Sequence, residues 1–408
     1  MQDFETEYQN AHASGLLPGV VLLASNKQGS FKYSKALGVS SLKDASNKKP
    51  LTDDTILGLA SCTKLMTAIA ALQCVERGQV ELDADVGPIL PEVGKYGVIT
   101  GLDETTQEPV LAERRNAITL SSVARNLLTH TSGLAYDIMH PSLLKWREMR
   151  KEAPWGGETV EEKATIPLLF EPGTGWMYGC GLEWVGKLIE RVNGVSLEDH
   201  MKKNIWVPLG INDISFWPQA NKDMKERMAD LSIIGPDEKA VDCPEFDLAF
   251  GGKECLGGGG AYGSATGYMT LLEAVLREDD KLLHKESWAE FWKPQLDEKC
   301  KEAFNKLFWE REDLSHFLSI NVPKETKKNF CFGGMMVEDE VEGWLNKGTV
   351  LWGGVPCVIW FIDRKAELCG LAGSQMLPPM APPILKLHKG FQRGIYKLLH
   401  ASQGEPHD

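Results

Sequence analysis

Within "ILGLASCTKLMTAIAALQCVER", residues 56–77, a serine stands one helical turn ahead of a lysine: Ser61 and Lys64. Positions i and i+3 share a helix face, so the hydroxyl and the amine come within reach of each other. Leu65, Ile69, Leu72 and Val75 fall at helical spacing, and the stretch is apolar around most of its circumference. That pattern predicts a helix buried in the fold. A lysine in low dielectric loses the solvation of its charged form, and its pKa falls. A neutral amine beside a hydroxyl can take its proton and leave an activated nucleophile. The helix N-terminus favours the negative charge that develops there. The same residues also fit a buried serine whose lysine runs along apolar surface to water.

Spacing alone does not choose between these readings. Ser-x-x-Lys recurs at Ser46/Lys49, in a lysine-rich polar loop, and at Ser142/Lys145, opening the charged segment "SLLKWREMRKE". Both are expected to face water, where lysine stays protonated with a pKa near ~10.4. Two further stretches favour Ser61. "FEPGTGWMYGCGLEW" places Tyr178 after the turn at Pro172/Gly173 and before a helix, where a phenol can relay a proton with the lysine. "TVLWGGVPCVIW" places Gly353 and Gly354 at the end of an expected strand. Backbone N–H groups there, unshielded by side chains, suit a tetrahedral oxyanion.

The elements that must hold these groups are legible in outline. Residues 3–14 read as a leading helix, and "GVVLLASNKQGSFKYSKALGV" as two strands about a turn at Asn26–Gly29. Gly78 is placed to end the Ser61 helix. Residues 80–250 read mostly as helices separated by Pro/Gly turns, the clearest being "GLEWVGKLIERVNG" with its closing Gly194. "CLGGGGAYGSATGYMTLLEAVLRE" is a glycine-rich turn feeding a helix. Beyond about 330, "FCFGGMMVED", "KGTVLWGG", "CVIWFIDR" and "ELCGLAGSQM" read as short strands, before a final helix near 383–399 and a polar tail. Strands at both ends with helices between them imply an α+β fold, one sheet built from both termini with a helical lobe inserted. The expected division of the single unit 1–408 is a sheet-containing lobe of 1–60 and 255–400 and a mostly helical lobe of 61–254.

Bulk properties set limits. The 408 residues are 43% apolar and 25% charged, with a net charge of −13, and mean hydropathy is −0.23. That charge lacks the electrostatic footprint for nucleic acid or an anionic membrane. "MQDFETEYQNAHASGLLPGV" has neither the basic start nor the apolar segment of a signal peptide, and no apolar run approaches a membrane span. A cytoplasmic protein is expected. The nine cysteines are odd in number, scattered and without a CxxC pair, which speaks against a disulfide framework or a zinc ribbon. Neither metal nor cofactor is expected.

Taken in order, "SCTK", "YGC" and "WGG" resemble the three motifs of the serine β-lactamase and penicillin-binding-protein superfamily, class C-like. "LLTHTSGL" (127–134), "EPGTGWMYG" (171–179) and "CLGGGGAYGSATGY" (255–268) also look like that superfamily. "ALQCVERG", "VPLGI" (207–211) and "GGVPCVIWFIDRKAELCGLA" (353–372) are most similar to its fungal acyltransferases and esterases of the lovastatin side-chain transferase type. The resemblance runs from about residue 5 to 395. It implies a mixed antiparallel sheet flanked by helices, with the site between sheet and helical lobe. It also implies Ser61 as the acylated nucleophile, Lys64 as its general base and Tyr178 as a partner in the proton transfers. The N–H groups of Ser61 and of Gly354 or Val355 would form the oxyanion hole. Two departures matter. Cys180 stands where β-lactamases carry Asn, and Trp352 where they carry Lys, which removes a cation suited to a β-lactam carboxylate and favours an ester or thioester.

Other residue patterns compete with this reading. Gly258, Gly260 and Gly263 satisfy G-x-G-x-x-G, but the preceding "GGKEC" is no convincing strand for a dinucleotide site. Cys180 is an alternative nucleophile without a histidine nearby in sequence, and His130 reads as a turn residue. Trp146, Trp155 and Trp352, with Gly353 and Cys180, are candidates to line an apolar substrate pocket. The expected reaction moves an acyl group from a thioester or ester donor through Ser61 to a hydroxyl of a small natural-product acceptor. The donor would be carried on an acyl carrier protein or coenzyme A, and "KWREMRK" (145–151) is a candidate basic face for a carrier, if it is not simply a solvated helix face. Hydrolysis by the same serine, as an esterase or thioesterase, and a catalytically silent binding protein are the alternatives.

Overall fold

The computed structural model describes residues 3–44, 46, 48–120, 126–244 and 246–403; the polar tail expected beyond the last helix lies largely outside them. Its centre is a seven-stranded sheet in which every neighbouring pair is antiparallel. Strand Gly19–Asn26 from the N-terminus pairs on one side with Lys32–Gly38 and on the other with Leu368–Gly373 from near the C-terminus. Val358–Asp363, Val350–Gly354, Met335–Val337 and Lys328–Phe330 continue outward in that order. One sheet is therefore built from both chain termini. Parallel pairing occurs outside it, as between Met376–Leu377 and Ser232–Ile233.

The central strands are buried at every residue, as befits a sheet covered on both faces. Helix Ala265–Arg277 packs on Gly19–Asn26, Val358–Asp363 and Leu368–Gly373. The terminal helices Asp3–Ala13 and Pro382–Gln403 pack on each other and on the sheet; Tyr396 of the second meets Phe361 at 5.9 Å between ring centroids.

Helix Thr63–Glu76 is buried along nearly its whole length and packs against helix Gly181–Asn193, which ends at Gly194 in the left-handed conformation, as its sequence predicts. Between residues 80 and 250 the structure departs from a mainly helical reading. Val98–Leu102 and Pro109–Ala112 form an outlying two-stranded ribbon, and Ser232–Ile234 pairs with Ala240–Asp242. The glycine-rich turn also leads into a short strand, Tyr262–Ser264, before its helix, and that strand pairs with Ile56–Gly58 just ahead of Ser61. Two of these pairings are local hairpins and only that of Tyr262–Ser264 spans the chain, yet no pattern of side chains announced any of them.

Candidate active site

Ser61 sits in a single 3-10 turn, Ala60–Cys62, between strand Ile56–Gly58 and helix Thr63–Glu76. The residue before it, Ala60, has φ 43°, a left-handed conformation that costs an alanine ~1 kcal/mol or more. Such strain persists only where the surroundings fix it, and here they do. Leu59 N–H donates to Ala261 O at 3.0 Å. Tyr268 Oη donates to Cys62 O at 2.9 Å. Thr63 Oγ1 accepts from Ala261 N–H at 3.1 Å, and Thr67 Oγ1 donates to Gly257 O at 2.6 Å. The glycine-rich segment 257–261 is therefore a brace for the serine turn, which accounts for its glycines without a nucleotide. A Cβ on Gly257 would stand 2.5 Å from Leu182 O.

Lys64 is buried at 4% exposure, so it does not run out to water. Its Nζ lies 3.3 Å from Ser61 Oγ, 3.0 Å from Tyr136 Oη and 2.6 Å from Gly258 O. Tyr178 Oη donates to Ser61 Oγ at 2.6 Å from another side. Tyr136 Oη in turn donates to Glu183 Oε1 at 2.8 Å. Lys64 Nζ thus donates to Ser61 Oγ, Tyr136 Oη and Gly258 O, and Ser61 Oγ also accepts from Tyr178. Burial raises the carboxyl of Glu183, an effect that the Lys64 charge opposes; burial likewise raises the Tyr136 phenol, with Glu183 adding to it.

Tyr136 and Glu183 are functional candidates that sequence reasoning missed. Glu183 carried a signal: it is an acid flanked by Leu182 and Trp184 near the start of an apolar helix, and its side chain is 2% exposed with Oε2 unpartnered. It occupies the space a side chain on Gly258 would need, since a Cβ there would lie 2.3 Å from either carboxylate oxygen.

The end of strand Val350–Gly354 closes the other side. A Cβ on Gly354 would stand 2.2 Å from Leu59 O and 3.3 Å from Ala60 Cβ, so only glycine lets this strand approach the serine turn. Val355 follows it and lines, with Ser61, a cavity of about 110 Å³. Trp155, Phe246, Leu248, Phe250 and Phe317 make that cavity apolar, while Tyr136, Tyr178 and Glu183 bring the polar groups. Trp352 and Gly353 line a narrow adjoining space with Ser61, Ile320 and Met380.

Two expected pocket residues lie elsewhere. Trp146 packs on Tyr96 at 5.0 Å and under Arg150 at 4.7 Å, and it is not among the cavity's lining residues. Cys180 is fully buried, its Sγ bonding Ala135 O at 3.4 Å, and burial holds the thiol well above its usual range, which removes it as a nucleophile and as a pocket wall. His130 has φ 63° and accepts from Gly179 N–H at 3.3 Å, the turn role its sequence suggested. Three of the four cations on the basic face expected at 145–151 are paired with acids. Lys145 pairs with Glu148, Arg150 with Glu152, and Arg147 is buried against Asp137 at 2.7 Å. Ser46 and Lys49 are exposed, as their polar loop implied.

A family profile described as "Beta-lactamase" matches residues 4–377. The chain is 35% identical to "Lovastatin esterase" of Penicillium rubens, over 98% of this chain and all of that one. It is 34% identical to "Monacolin J acid methylbutanoyltransferase" of Aspergillus terreus, covering 96% of this chain and 94% of that one. The structure superposes on simvastatin synthase LovD from Aspergillus terreus, in its LovD6 mutant form, with a TM-score of 0.88 and 34% identity over 98% and 95% of the two chains. With a serine turn, a buried lysine and a strand-end glycine brought together in one such fold, the chain belongs to the β-lactamase family.

Proposed function

We propose that this protein is a serine acyltransferase that loads an acyl group on Ser61 and passes it to a hydroxyl of a small apolar acceptor. The observation that carries this reading is Ser61 Oγ held between Tyr178 Oη at 2.6 Å and Lys64 Nζ at 3.3 Å. Relatives named as an esterase and as a methylbutanoyltransferase support the same chemistry.

Lys64 takes the Ser61 proton as Oγ attacks the acyl carbonyl. The oxyanion collects at the N–H groups of Ser61 and Val355, at the strand end that Gly354 lets approach. The tetrahedral species expels the donor's thiolate or alkoxide, which leaves with the proton of the Tyr178 phenol, restored in turn by the proton that Lys64 took from Ser61. The acceptor hydroxyl then attacks the acyl-enzyme carbonyl, gives its proton to the same pair, and Ser61 Oγ departs reprotonated. Each half-reaction returns the lysine and phenol to their starting states, and the second also frees the serine. Tyr136 and Glu183 hold the lysine while it changes charge.

The apolar chamber suits an acceptor that displaces water. On the strand side, Trp352, Ile320 and Met380 surround the acyl carbon with apolar groups and offer no cation to a β-lactam carboxylate. The donor is an acyl thioester, on coenzyme A or on a carrier protein; Lys145, Arg147 and Arg150 of the segment 145–151 are already paired with acids. A cytoplasmic setting agrees with nine free thiols. Hydrolysis by the same acyl-enzyme is the second reading, favoured by the esterase relative.

Incubation with a serine-directed acylating probe, followed by peptide mapping, tests the nucleophile: label on Ser61 is expected, and equal labelling of Ser61→Ala sinks the proposal. Product analysis with a short acyl thioester, with and without added alcohols, separates the two reactions. Ester formation at the expense of free acid is expected; free acid formed at the same rate whatever the alcohol makes the protein a hydrolase.

A further inference from the structure

The chamber over Ser61 is walled by two loops, one carrying Trp155 and the other Phe246, Leu248 and Phe250. Trp155 and Phe250 both take left-handed backbone conformations, with φ of 52° and 49°. Neither is a glycine, so something must hold each in place. The same group holds both. Lys163, with no exposed surface, donates through Nζ to Trp155 O at 3.0 Å and to Phe250 O at 2.7 Å. The Trp155 peptide is gripped from its other end as well, where its N–H donates to Asp137 Oδ2 at 3.0 Å, an oxygen that also receives Arg147 Nε. Around this clamp, Lys253 N–H donates to Glu158 O at 2.7 Å and Val160 N–H to Glu254 Oε2 at 3.0 Å, so the two loops are tied into one wall. A lysine in the sequence "VEEKA" on a five-residue helix has no surface role here and takes no part in the acyl transfer.

We propose that Lys163 is a positioning residue for substrate: its buried ammonium clamps the two loops whose Trp155 and Phe250 wall the chamber, and so sets the preference for bulky apolar esters. This rests on reading the chamber as the substrate site. A buried ammonium on two carbonyls makes charge-assisted bonds that a neutral side chain cannot replace. Without it, both strained peptides are free to relax, and the aromatic faces leave their places. A displacement of about 1 Å in a positioning wall is enough for a large loss on substrates that touch it. Substrates too small to reach the wall feel the change less.

The test compares kcat/KM for 1-naphthyl acetate and for vinyl acetate in the wild type, Lys163→Met and Phe250→Ala. Phe250 is 42% exposed, so its truncation is compatible with folding. In both variants the preference for the naphthyl ester is expected to fall by about tenfold, mainly through KM. Calorimetric binding of 1-naphthyl acetate to Ser61→Ala, with and without Lys163→Met, gives a second reading that needs no turnover, and a matching loss of affinity is expected. Equal losses on both esters in Lys163→Met mean a general structural role and overturn the proposal. If Lys163→Met does not fold, an unchanged preference in Phe250→Ala overturns it. A wild type that hydrolyses neither ester counts against the Ser61 chemistry, while the calorimetry still decides the role of Lys163.

Discussion

Lys64 and Lys328 are both buried lysines, exposed by 4% and 0%, and they sit in different regions with different company. Lys328, at the sheet edge, donates to Pro323 O at 2.8 Å, Lys324 O at 3.3 Å and Thr326 O at 2.7 Å. All three partners are carbonyls: they accept, and can neither give nor take a proton. That lysine ties down the loop 323–326, and although burial pulls its pKa to about 8, it has nothing to react with. Lys64 has one carbonyl partner and two hydroxyls, Ser61 and Tyr136. Burial is common to both, so burial is not what makes an amine a base. The difference lies in partners that can exchange protons with it.

The contrast is sharpest in a crossed pair of substitutions. Lys64→Met is expected to lower kcat/KM by ~10³-fold or more, because it removes the proposed base and leaves Ser61 at its ordinary nucleophilicity. Lys328→Met should leave kcat/KM unchanged while its three carbonyls lose their donor, lowering unfolding stability by about 2–4 kcal/mol in urea titrations. The pH dependence adds a sign. The folded pKa near 8 lies below the unfolded value, so the native state binds fewer protons between about 8 and ~10.4. The stability that wild type holds over Lys328→Met should therefore grow as pH rises through that window and stay flat below it. A Lys328→Met protein that is folded yet tenfold slower would erase the distinction.

Tyr136 is the second hydroxyl on Lys64, and it tests whether the amine needs that partner. Tyr136→Phe keeps the ring contact with Trp155, at 4.8 Å between centroids, and deletes only the oxygen. A loss of about 10–100-fold in kcat, with KM little changed, is expected in steady-state kinetics. Glu183→Gln should cost about tenfold in kcat, being one bond further away. Its stability effect runs the other way. Burial raises the Glu183 pKa above its unfolded value, so the native state holds a proton that the unfolded chain has released. Stability thus falls as pH rises from the unfolded pKa through the raised one. Glu183→Gln removes that dependence, and its melting temperature is expected to exceed that of wild type at pH 8 but not at pH 4. An acid kept at the expense of stability is what a working site requires.

What the sequence disclosed follows the range of the interactions. Ser61 and Lys64 were legible because helix geometry alone brings i and i+3 together, Tyr178 because it follows a Pro/Gly turn ahead of a helix, and Gly354 because it ends an apolar strand. The strands of both termini were legible from their apolar runs and turn residues. Tyr136 and Glu183 were not, since their meeting depends on helix Gly181–Asn193 packing on helix Thr63–Glu76, and on Gly258 vacating the space between them. Arg147 read as a solvated charge because its partner Asp137 lies in the preceding 3-10 turn, where the sequence shows only a lone acid. The ribbon at Val98–Leu102 was hidden for a different reason: its partner is close in sequence, but its exposed residues carry no alternation.

Trp146 and Trp155 separate these ranges at their smallest scale. Both were equal candidates for the pocket, both are buried, at 5% and 4% exposure, and they lie nine residues apart. Helix Pro141–Met149 turns Trp146 toward Tyr96 and Arg150, whereas Trp155, beyond the helix, is turned by its left-handed backbone toward Tyr136 and the chamber. Trp155→Ala is accordingly expected to raise KM for an aryl ester by ~5-fold, the value of one aromatic contact. Trp146→Phe should leave KM where it was, because Tyr96 and Arg150 stand on its ring and no substrate does. If the two substitutions shift KM alike, the chamber is not the place where substrate binds, and the orientation of a backbone at position 155 has no bearing on what reaches Ser61.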